Sequence, residues 1–366
     1  MKKKIAATLI SLLTITSVFA GCGSSADSSS SEAASTETAS VSEAEGSEES
    51  AAESTSVTSD ELGEDAEYDE EVNIMVIIKT SSSEVGQYLT KGATSYEEAH
   101  PNVHVDVFGA TSETAYDEQL NSIETTINSG KYDALCLAPL QSDAAATMLA
   151  NCDIPVISFD TVISDDVVET HVGVGNTEAA KAGAIAAVEA AKEAGWDEIN
   201  CIEIAGVQGD PTNEARMEGY KEGINEAGGT FLEDEIQYAD AVADRAVNCM
   251  ESIMSKYPEG VAIICCNNDD MAIGAAKAAA QNEAYADTIF LGFDGMSSAA
   301  EVIVNGTVNN YLSVACEWTE MTYKAVDCAI RAIKGEELPG TVNTSFEIMD
   351  SSNAQERLDY MNSLLD

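Results

Sequence analysis

Polar and charged side chains follow predicted strands, or lie near a strand end, at six places along the chain. These places are positions 79–84, 160–161, 176, 210–216, 267–270 and 294. The side chains are mostly carboxylates, amides and a guanidinium, which can exchange hydrogen bonds with several hydroxyl groups of a small polar ligand. An Asp or Asn after a strand is often only a helix N-cap, so one such position indicates little. Six of them in one chain predict a binding cleft.

The elements that must position these side chains alternate between strand and helix. The pattern predicts strands at 72–78, 103–108, 133–138, 155–159, 199–205, 261–265 and 288–291. It predicts helices at 84–98, 113–128, 143–149, 178–194, 212–227, 243–255 and 271–280. Such alternation is typical of parallel sheets covered by helices on both faces. Ligands of these sheets bind beyond the carboxyl ends of the strands, where the loops converge.

Length and charge limit the classes of protein that fit. A chain of 366 residues is longer than one ordinary domain, and 45% hydrophobic residues are enough for a core. Against 65 acidic residues stand 17 basic ones, which gives a formal charge of -48. A surface this acidic repels phosphate backbones, so we expect no nucleic-acid partner.

Residues 1–22 have the pattern of a secretory signal peptide. Three lysines precede an uncharged run at 5–20, which is shorter than the ~20 residues of a membrane-spanning helix. The ending Phe19-Ala20-Gly21-Cys22 resembles the lipobox of bacterial lipoproteins, with Phe19 where Leu is usual. This resemblance implies that Cys22 is acylated and anchors the mature chain to the cell membrane from the extracytoplasmic side.

The segment 23–71 consists largely of Ser, Ala, Thr, Glu and Asp, without Lys or Arg. It carries too few apolar residues to offset the entropy of ordering, and its carboxylates repel one another. We therefore expect a disordered acidic tether from 23 to 71.

Nine cysteines are present, and Cys22 is one of them. Cys136, Cys201, Cys265 and Cys266 fall in apolar strand-like runs, where a thiol behaves as a small hydrophobic group. The chain has no C-x-x-C motif, so buried free thiols are expected and neither a metal nor a cofactor is indicated.

Four segments, in this order and spacing, resemble the type I periplasmic binding proteins of the ribose and galactose group, which serve ABC importers. They are the residues DIPVISFD at 153–160, NEARMEGY at 213–220, CNNDDMAIG at 266–274 and GFDG at 292–295. The resemblance runs from about residue 72 to 353. It implies an α/β fold of two doubly wound parallel-sheet lobes joined by a three-strand hinge. The N-terminal lobe would comprise 72–174 and 315–343, and the C-terminal lobe 175–314 and 344–366.

The resemblance also implies which residues bind the ligand. Asp160 would accept hydrogen bonds from sugar hydroxyls, Arg216 would donate to ligand oxygens, and Asn268 and Asp294 would close the opposite side. Asn176 matches a position near the crossover between lobes. With the polar residues after the first and fourth strands, the predicted ligand-binding set is Lys79, Ser83, Asp160, Thr161, Asn176, Arg216, Asn268 and Asp294.

The chain departs from the family pattern at several positions. Val85 and Gly86 stand where ribose binders carry two Phe, and Ala243 stands where a further aromatic residue is expected. Thr161 replaces an Arg, and Val314 replaces a late amide contact. The usual stacking platform is therefore missing, and Trp318 or Tyr88 would have to supply an aromatic wall.

The leading expectation is a monomeric, lipid-anchored, extracytoplasmic protein that captures a sugar or polyol for the membrane subunits of an ABC permease, without covalent chemistry. A sensory protein that signals to a membrane kinase or chemoreceptor is one alternative. A carboxylate-dependent glycoside hydrolase using Asp160 and Asp294 is another, because two carboxylates that flank a glycosidic bond suffice for that reaction. A sugar-responsive repressor is excluded by the signal peptide, the charge and the lack of N-terminal DNA-binding helices.

Overall fold

The computed structural model describes residues 56–163, 165–308 and 310–365. The predicted signal peptide, the lipidation site Cys22 and the tether up to residue 55 lie outside the described residues. No helix in the described part of the chain has both the length and the hydrophobicity that a membrane span requires. Strands β1–β14 and helices α1–α10 are numbered along the chain.

The N-terminal lobe is built on a parallel sheet of seven strands in the order β1-β13-β6-β5-β4-β2-β3. Its strands are β1 Ser56–Thr58, β2 Val72–Thr80, β3 Val103–Ala110, β4 Ala134–Leu137, β5 Val156–Phe159, β6 Thr170–Val174 and β13 Thr341–Thr344. Its helices are α1 Glu84–Ala99, α2 Tyr116–Ser129, α3 Ser142–Leu149 and α9 Trp318–Ile333. The central strands β4 and β5 are buried along their whole length, as expected of a sheet covered on both faces.

The C-terminal lobe has a second sheet in the order β14-β12-β11-β10-β7-β8, with β9 beside β7. Its strands are β7 Asn200–Ala205, β8 Thr230–Phe231, β9 Gln237–Tyr238, β10 Ile263–Cys266, β11 Ile289–Asp294, β12 Tyr311–Cys316 and β14 Phe346–Met349. Its helices are α4 Asn176–Glu193, α5 Pro211–Glu226, α6 Ala243–Lys256, α7 Asp269–Ala279, α8 Ser297–Val304 and α10 Ala354–Leu365. Only β14 runs antiparallel to its neighbour β12 within this sheet of described strands.

The chain passes between the two sheets three times. The passages lie between β6 and α4, between β12 and α9, and between β13 and β14, and Gly175, Glu317 and Ser345 are their single linking residues. The predicted fold class, two parallel-sheet lobes joined by three strands, is confirmed. The predicted lobe boundaries need correction by one or two residues, because β12 carries Cys316 in the C-terminal sheet and Thr344 pairs with Val174 in the N-terminal sheet.

Helices α4 and α5 pack unusually closely because α5 carries glycine where it faces α4. A Cβ atom at Gly219 would lie 2.2 Å from the carbonyl oxygen of Thr177, and one at Gly223 would lie 2.4 Å from that of Lys181. This close approach brings the N-terminal turns of the two helices together. It thereby places Arg216 of α5 beside Asn176 of α4.

The predicted tether is wrong for its last part, residues 56–71. Strand β1 pairs with β13, with Ser56 opposite Thr341. The backbone N–H of buried Ala66 donates to the carboxylate of Asp327 at 2.7 Å. Val57, Leu62 and Tyr68 also pack against the core, so a few well-spaced apolar residues order a segment whose average composition indicates disorder.

All eight cysteines within the described residues are free thiols, as predicted. Cys201 and Cys265 lie on neighbouring strands with their sulfur atoms 3.4 Å apart, which is the distance of a thiol hydrogen bond and not of a disulfide. Burial raises the pKa of the Cys265 thiol, and the hydrogen bond with Cys201 adds to the rise.

One carboxyl group in the C-terminal sheet is buried without compensation. Glu203 of β7 lies opposite Cys265 of β10 and is fully buried, and neither of its oxygens has a hydrogen-bond partner among the described residues. Burial raises its pKa from 4.5 to about 8, and the negative charge of Glu214 adds to the rise. Glu203 is therefore protonated in the folded protein at neutral pH.

This burial predicts a dependence of stability on pH. The folded protein holds a proton on Glu203 that the unfolded chain releases above pH 4.5, so stability falls as the pH rises towards 8. In the Glu203→Gln variant, the free energy of unfolding should fall less steeply with pH, by about 1.4 kcal/mol per pH unit. Urea unfolding between pH 5 and 8 measures this slope. Glu218→Gln, at an exposed position of α5, is the control. An unchanged slope in Glu203→Gln would contradict the assignment.

Candidate functional site

A cavity of about 560 Å³ lies between the two lobes, at the carboxyl ends of their strands. The loops after β2, β3 and β5 and the start of α9 contribute its N-terminal wall, and the loops after β7, β9, β10 and β11 contribute the opposite wall. Of the eight predicted ligand-binding residues, six line it: Lys79, Ser83, Asp160, Arg216, Asn268 and Asp294. The fold therefore brings together side chains that are up to 215 positions apart in the chain.

The N-terminal wall is organised by an ion pair. Lys79, at the end of β2, places its Nζ 2.7 Å from Oδ2 of Asp160, which follows β5. Burial opposes the charge on Lys79, but the charge and hydrogen bond of Asp160 outweigh it and raise the lysine pKa. Asp160 has a φ of 60°, a conformation that L-residues adopt at a cost. The strained backbone aims this carboxylate into the cavity.

Ser83 and Thr161 have different places on this wall. Ser83 is the N-cap of α1, and its Oγ accepts from the Gly86 N–H at 3.0 Å while it also lines the cavity. Thr161 does not line the cavity; its hydroxyl lies 3.5 Å from the Asp160 carboxylate. Thr161 is therefore a neighbour that contacts the Asp160 carboxylate and is not part of the cavity surface.

Arg216 organises the C-terminal wall. Its Nε donates to Oδ1 of Asn176 at 2.8 Å and its Nη1 donates to the carbonyl oxygen of Asn267 at 2.8 Å. Its guanidinium lies 3.7 Å from the ring centroid of Phe293, and Nη1 is 3.5 Å from Oδ1 of Asp294. Asn176 itself is outside the cavity lining, so it is a positioning residue for Arg216.

Asp294 ends β11 on a second strained backbone, with a φ of 113°. Burial raises its pKa to about 8; Arg216 opposes the rise, and the carboxylates of Asp269, Asp160 and Asp270 add to it. Its backbone carbonyl accepts a hydrogen bond from the indole N–H of Trp318 at 3.0 Å. Trp318, the first residue of α9, is an aromatic residue of the cavity wall.

The loop that carries Asp294 is held by a buried carboxylate below it. Asp269, in the first turn of α7, accepts from the Met296 N–H at 2.9 Å, from the Tyr311 hydroxyl at 2.9 Å and from the Ser313 hydroxyl at 2.6 Å. The Ser313 hydroxyl in turn accepts from the Gly295 N–H at 3.2 Å. Burial raises the pKa of Asp269 to about 6, and these donors limit the rise.

Asn268 serves two purposes. Its Oδ1 accepts from the Met271 N–H at 2.9 Å, so it is the N-cap of α7, and its side chain also lines the cavity. The capping interpretation and the binding interpretation of the sequence are thus compatible, because an N-cap beyond a parallel strand already lies at the ligand edge of the sheet.

Sequence reasoning missed several lining residues. Val207, Ala241, Met296 and Ser298 all line the cavity. Met296 and Ser298 follow Asp294 closely, so their position after the GFDG segment was a usable signal. Ala241 lies in a loop with a φ of 58°, and nothing in its residue type indicates this role. Tyr88 is buried outside the lining and supplies no wall.

Glu84 joins the two lobes. Its Oε1 accepts from the Ser297 N–H of α8 at 3.1 Å and from the hydroxyl of Tyr88 at 2.5 Å. Ser297 is the first residue of α8, so the carboxylate lies at a helix N-terminus, where a negative charge is stabilised. The hydrogen bond between Glu84 and Ser297 therefore links the two lobes beside the cavity.

The fold and this cavity define a class of protein. A family model described as a periplasmic binding protein domain matches residues 74–337. The chain therefore belongs to the periplasmic binding protein family, an extracytoplasmic family of solute-binding proteins and not of enzymes. This membership sets aside the glycoside hydrolase alternative.

Individual relatives are sugar-binding proteins. The D-allose-binding periplasmic protein of Escherichia coli K12 is 26% identical over 287 residues, which cover 75% of this chain and 89% of the relative. The fold is similar to that of a solute-binding protein from Actinobacillus succinogenes with bound D-allose, with a TM-score of 0.68, 21% identity and coverage of 78% of this chain and 100% of the other. The fold is also similar to that of a carbohydrate transporter solute-binding protein from Agrobacterium radiobacter in complex with D-arabinose. The TM-score is 0.67 and the identity 22%, and the match covers 81% of this chain and 99% of the other.

The contact between Glu84 and Ser297 predicts an effect on closure. A hydrogen bond to a charged group stabilises by about 1.5–3 kcal/mol, so Glu84→Ala should lower the ratio of closed to open protein about tenfold or more. We expect a larger radius of gyration by small-angle X-ray scattering of the ligand-free protein. Glu98→Ala, at the exposed other end of α1, is the control. An unchanged scattering curve in Glu84→Ala would contradict the role of this contact.

Proposed function

We propose that this protein captures a sugar or polyol between its lobes and delivers it to an ABC permease, acting as a monomer without covalent chemistry. One observation carries the proposal: Lys79 and Asp160 of one lobe line the same cavity as Arg216, Asn268 and Asp294 of the other. A ligand held by both walls stabilises the closed form, and a permease can distinguish that form by its shape.

The chemistry of the walls supports a ligand rich in hydroxyl groups. Carboxylates accept hydrogen bonds from hydroxyls, and the remaining N–H groups of Arg216 and the amide of Asn268 donate to hydroxyl or ring oxygens. Nε and Nη1 of Arg216 are engaged by protein acceptors, whereas Nη2 has none among the described residues. The guanidinium is thus fixed in place with donors left for a ligand.

The shape of the cavity and the named ligands of relatives point to the same class. Trp318 supplies an apolar face against which the carbon skeleton of a ring can pack. Relatives of this chain are named for, or hold, D-allose, D-arabinose and myo-inositol. We therefore place the ligand among monosaccharides and cyclic polyols.

Arg216→Ala should weaken binding at least tenfold, because it removes charge-assisted donors from a wall that keeps its acceptors. The indole of Trp318 reports binding by fluorescence once Trp196, which bonds to Asp287 outside the cavity, is replaced by Phe. In this background we would titrate D-allose, D-ribose, D-arabinose and myo-inositol. Arg245→Ala, on exposed α6, is the matched control. Equal affinities in the two variants would exclude Arg216 from the site.

We also propose that the N-terminal signal peptide is cleaved and that Cys22 carries the lipid anchor. The support is the apolar run before a small-residue cleavage site at a cysteine. Cys22→Ser should move the protein from the membrane fraction to the soluble fraction, measured by immunoblotting after cell fractionation. Cys152→Ser, which also removes one thiol, should stay in the membrane fraction. A membrane-bound Cys22→Ser protein would remove the anchor proposal.

A further inference from the structure

The cavity carries a strong excess of negative charge. Six carboxylates line it, and only two cationic side chains do. The carboxylates are Glu84, Glu113, Asp160, Asp210, Asp270 and Asp294, and the cations are Lys79 and Arg216. Even with Asp294 protonated, as its raised pKa indicates, five carboxyl groups remain against two cations, so a ligand sealed from water in this cavity meets a net negative field.

Both cations are already engaged by lining carboxylates. Lys79 contacts Asp160 at 2.7 Å, and Arg216 lies 3.5 Å from Asp294 while it donates to two further protein acceptors. The ammonium of Lys79 is also within electrostatic range of Glu113 and Asp210. Lys79 is therefore paired with Asp160, and Arg216 keeps only its Nη2 donors for a ligand.

The remaining carboxylates differ in how they are compensated. Glu84 accepts from the Ser297 N–H, and Asp210 accepts from the Asn213 N–H as the N-cap of α5. Glu113 and Asp270 form no salt bridge within the described residues, although Glu113 is within electrostatic range of Lys79. Asp270 is exposed in the first turn of α7, where its carboxylate is free to meet a ligand.

Negative charges from the two lobes also act on one another. Asp160 of the N-terminal lobe and Asp270 of the C-terminal lobe both raise the pKa of Asp294. The repulsion is strongest when the cavity is closed and dry, because a low dielectric strengthens it. A positive charge between these carboxyl groups would favour the ionised form of Asp294 and replace the repulsion by attraction.

We propose that the ligand is an amino sugar or aminocyclitol, a polyol that carries one ammonium group, which is held among Asp160, Asp270 and Asp294. This inference rests on the proposed function of sugar or polyol capture and adds the charge of the ligand to it. An ammonium group donates three hydrogen bonds and accepts none, which matches a site of carboxylate acceptors. A sugar acid is disfavoured because its carboxylate would add to the excess of negative charge that lines the cavity.

Matched sets of probes test the charge of the ligand separately from sugar binding. The sets are D-glucose, D-glucosamine and D-glucuronate; D-galactose, D-galactosamine and D-galacturonate; and scyllo-inositol with scyllo-inosamine. Affinities are measured by isothermal titration calorimetry at pH 7 in 50 and 500 mM NaCl. We expect the amino member of at least one set to bind ten times more tightly than its neutral parent, and the uronates not to bind. High salt should reduce the difference in affinity between the amino member and its neutral parent.

A matched pair of variants assigns the preference to the cavity. Asp270→Asn should lower the ratio of amino-sugar to neutral-sugar affinity at least fivefold, whereas Glu251→Gln, at an exposed position of α6, should leave the ratio unchanged. A neutral parent or a uronate that binds as tightly as its amino partner overturns the charge inference and leaves sugar capture standing. No binding by any probe counts against both proposals.

Discussion

The guanidinium of Arg216 is the point on which the geometry of the site depends. It joins the start of α4 through Asn176, the end of β10 through the Asn267 carbonyl and the end of β11 through Phe293 and Asp294. The position of Arg216 depends on the close approach of α5 to α4, which the glycines of α5 permit. The packing of these two helices therefore fixes the geometry of the site. One planar cation with a fixed fork of donors thereby holds three separate chain segments in register.

The two carboxylates that face each other across the cavity are held at a cost. Asp160 and Asp294 are both non-glycine residues with positive φ, and Asp294 is raised in pKa by burial and by neighbouring carboxylates. Such strain persists only where the surrounding structure enforces it, as the Asp269 hydrogen bonds do for the loop after β11. In the proposed function, a ligand that donates hydrogen bonds to both carboxyl groups would contact both lobes at once, which would couple binding to closure of the lobes.

Much of the fold follows from the sequence pattern. The seven predicted strands and seven predicted helices all exist, because apolar runs and amphipathic periods report directly on burial. Strands β6, β8 and β9, the strands after residue 300 and helices α8, α9 and α10 were not among the predicted elements. Strands such as β13 are short and polar, and they form because they pair with neighbours already in place. The same reason explains β1, whose pairing with β13 orders the end of the predicted tether.

The sequence by itself determined the polar residue types that stand after each strand, and hence the class of site. Only the tertiary structure decided which of them share a surface. It pairs Lys79 with Asp160 and shows that Thr161 and Asn176 lie outside the cavity lining, where they contact lining residues. It also adds Trp318 and Met296 to the cavity wall. The physical reason is that residue type and local period report on short-range structure. Distances between loops of different lobes depend instead on helix packing and on the three one-residue passages between the sheets.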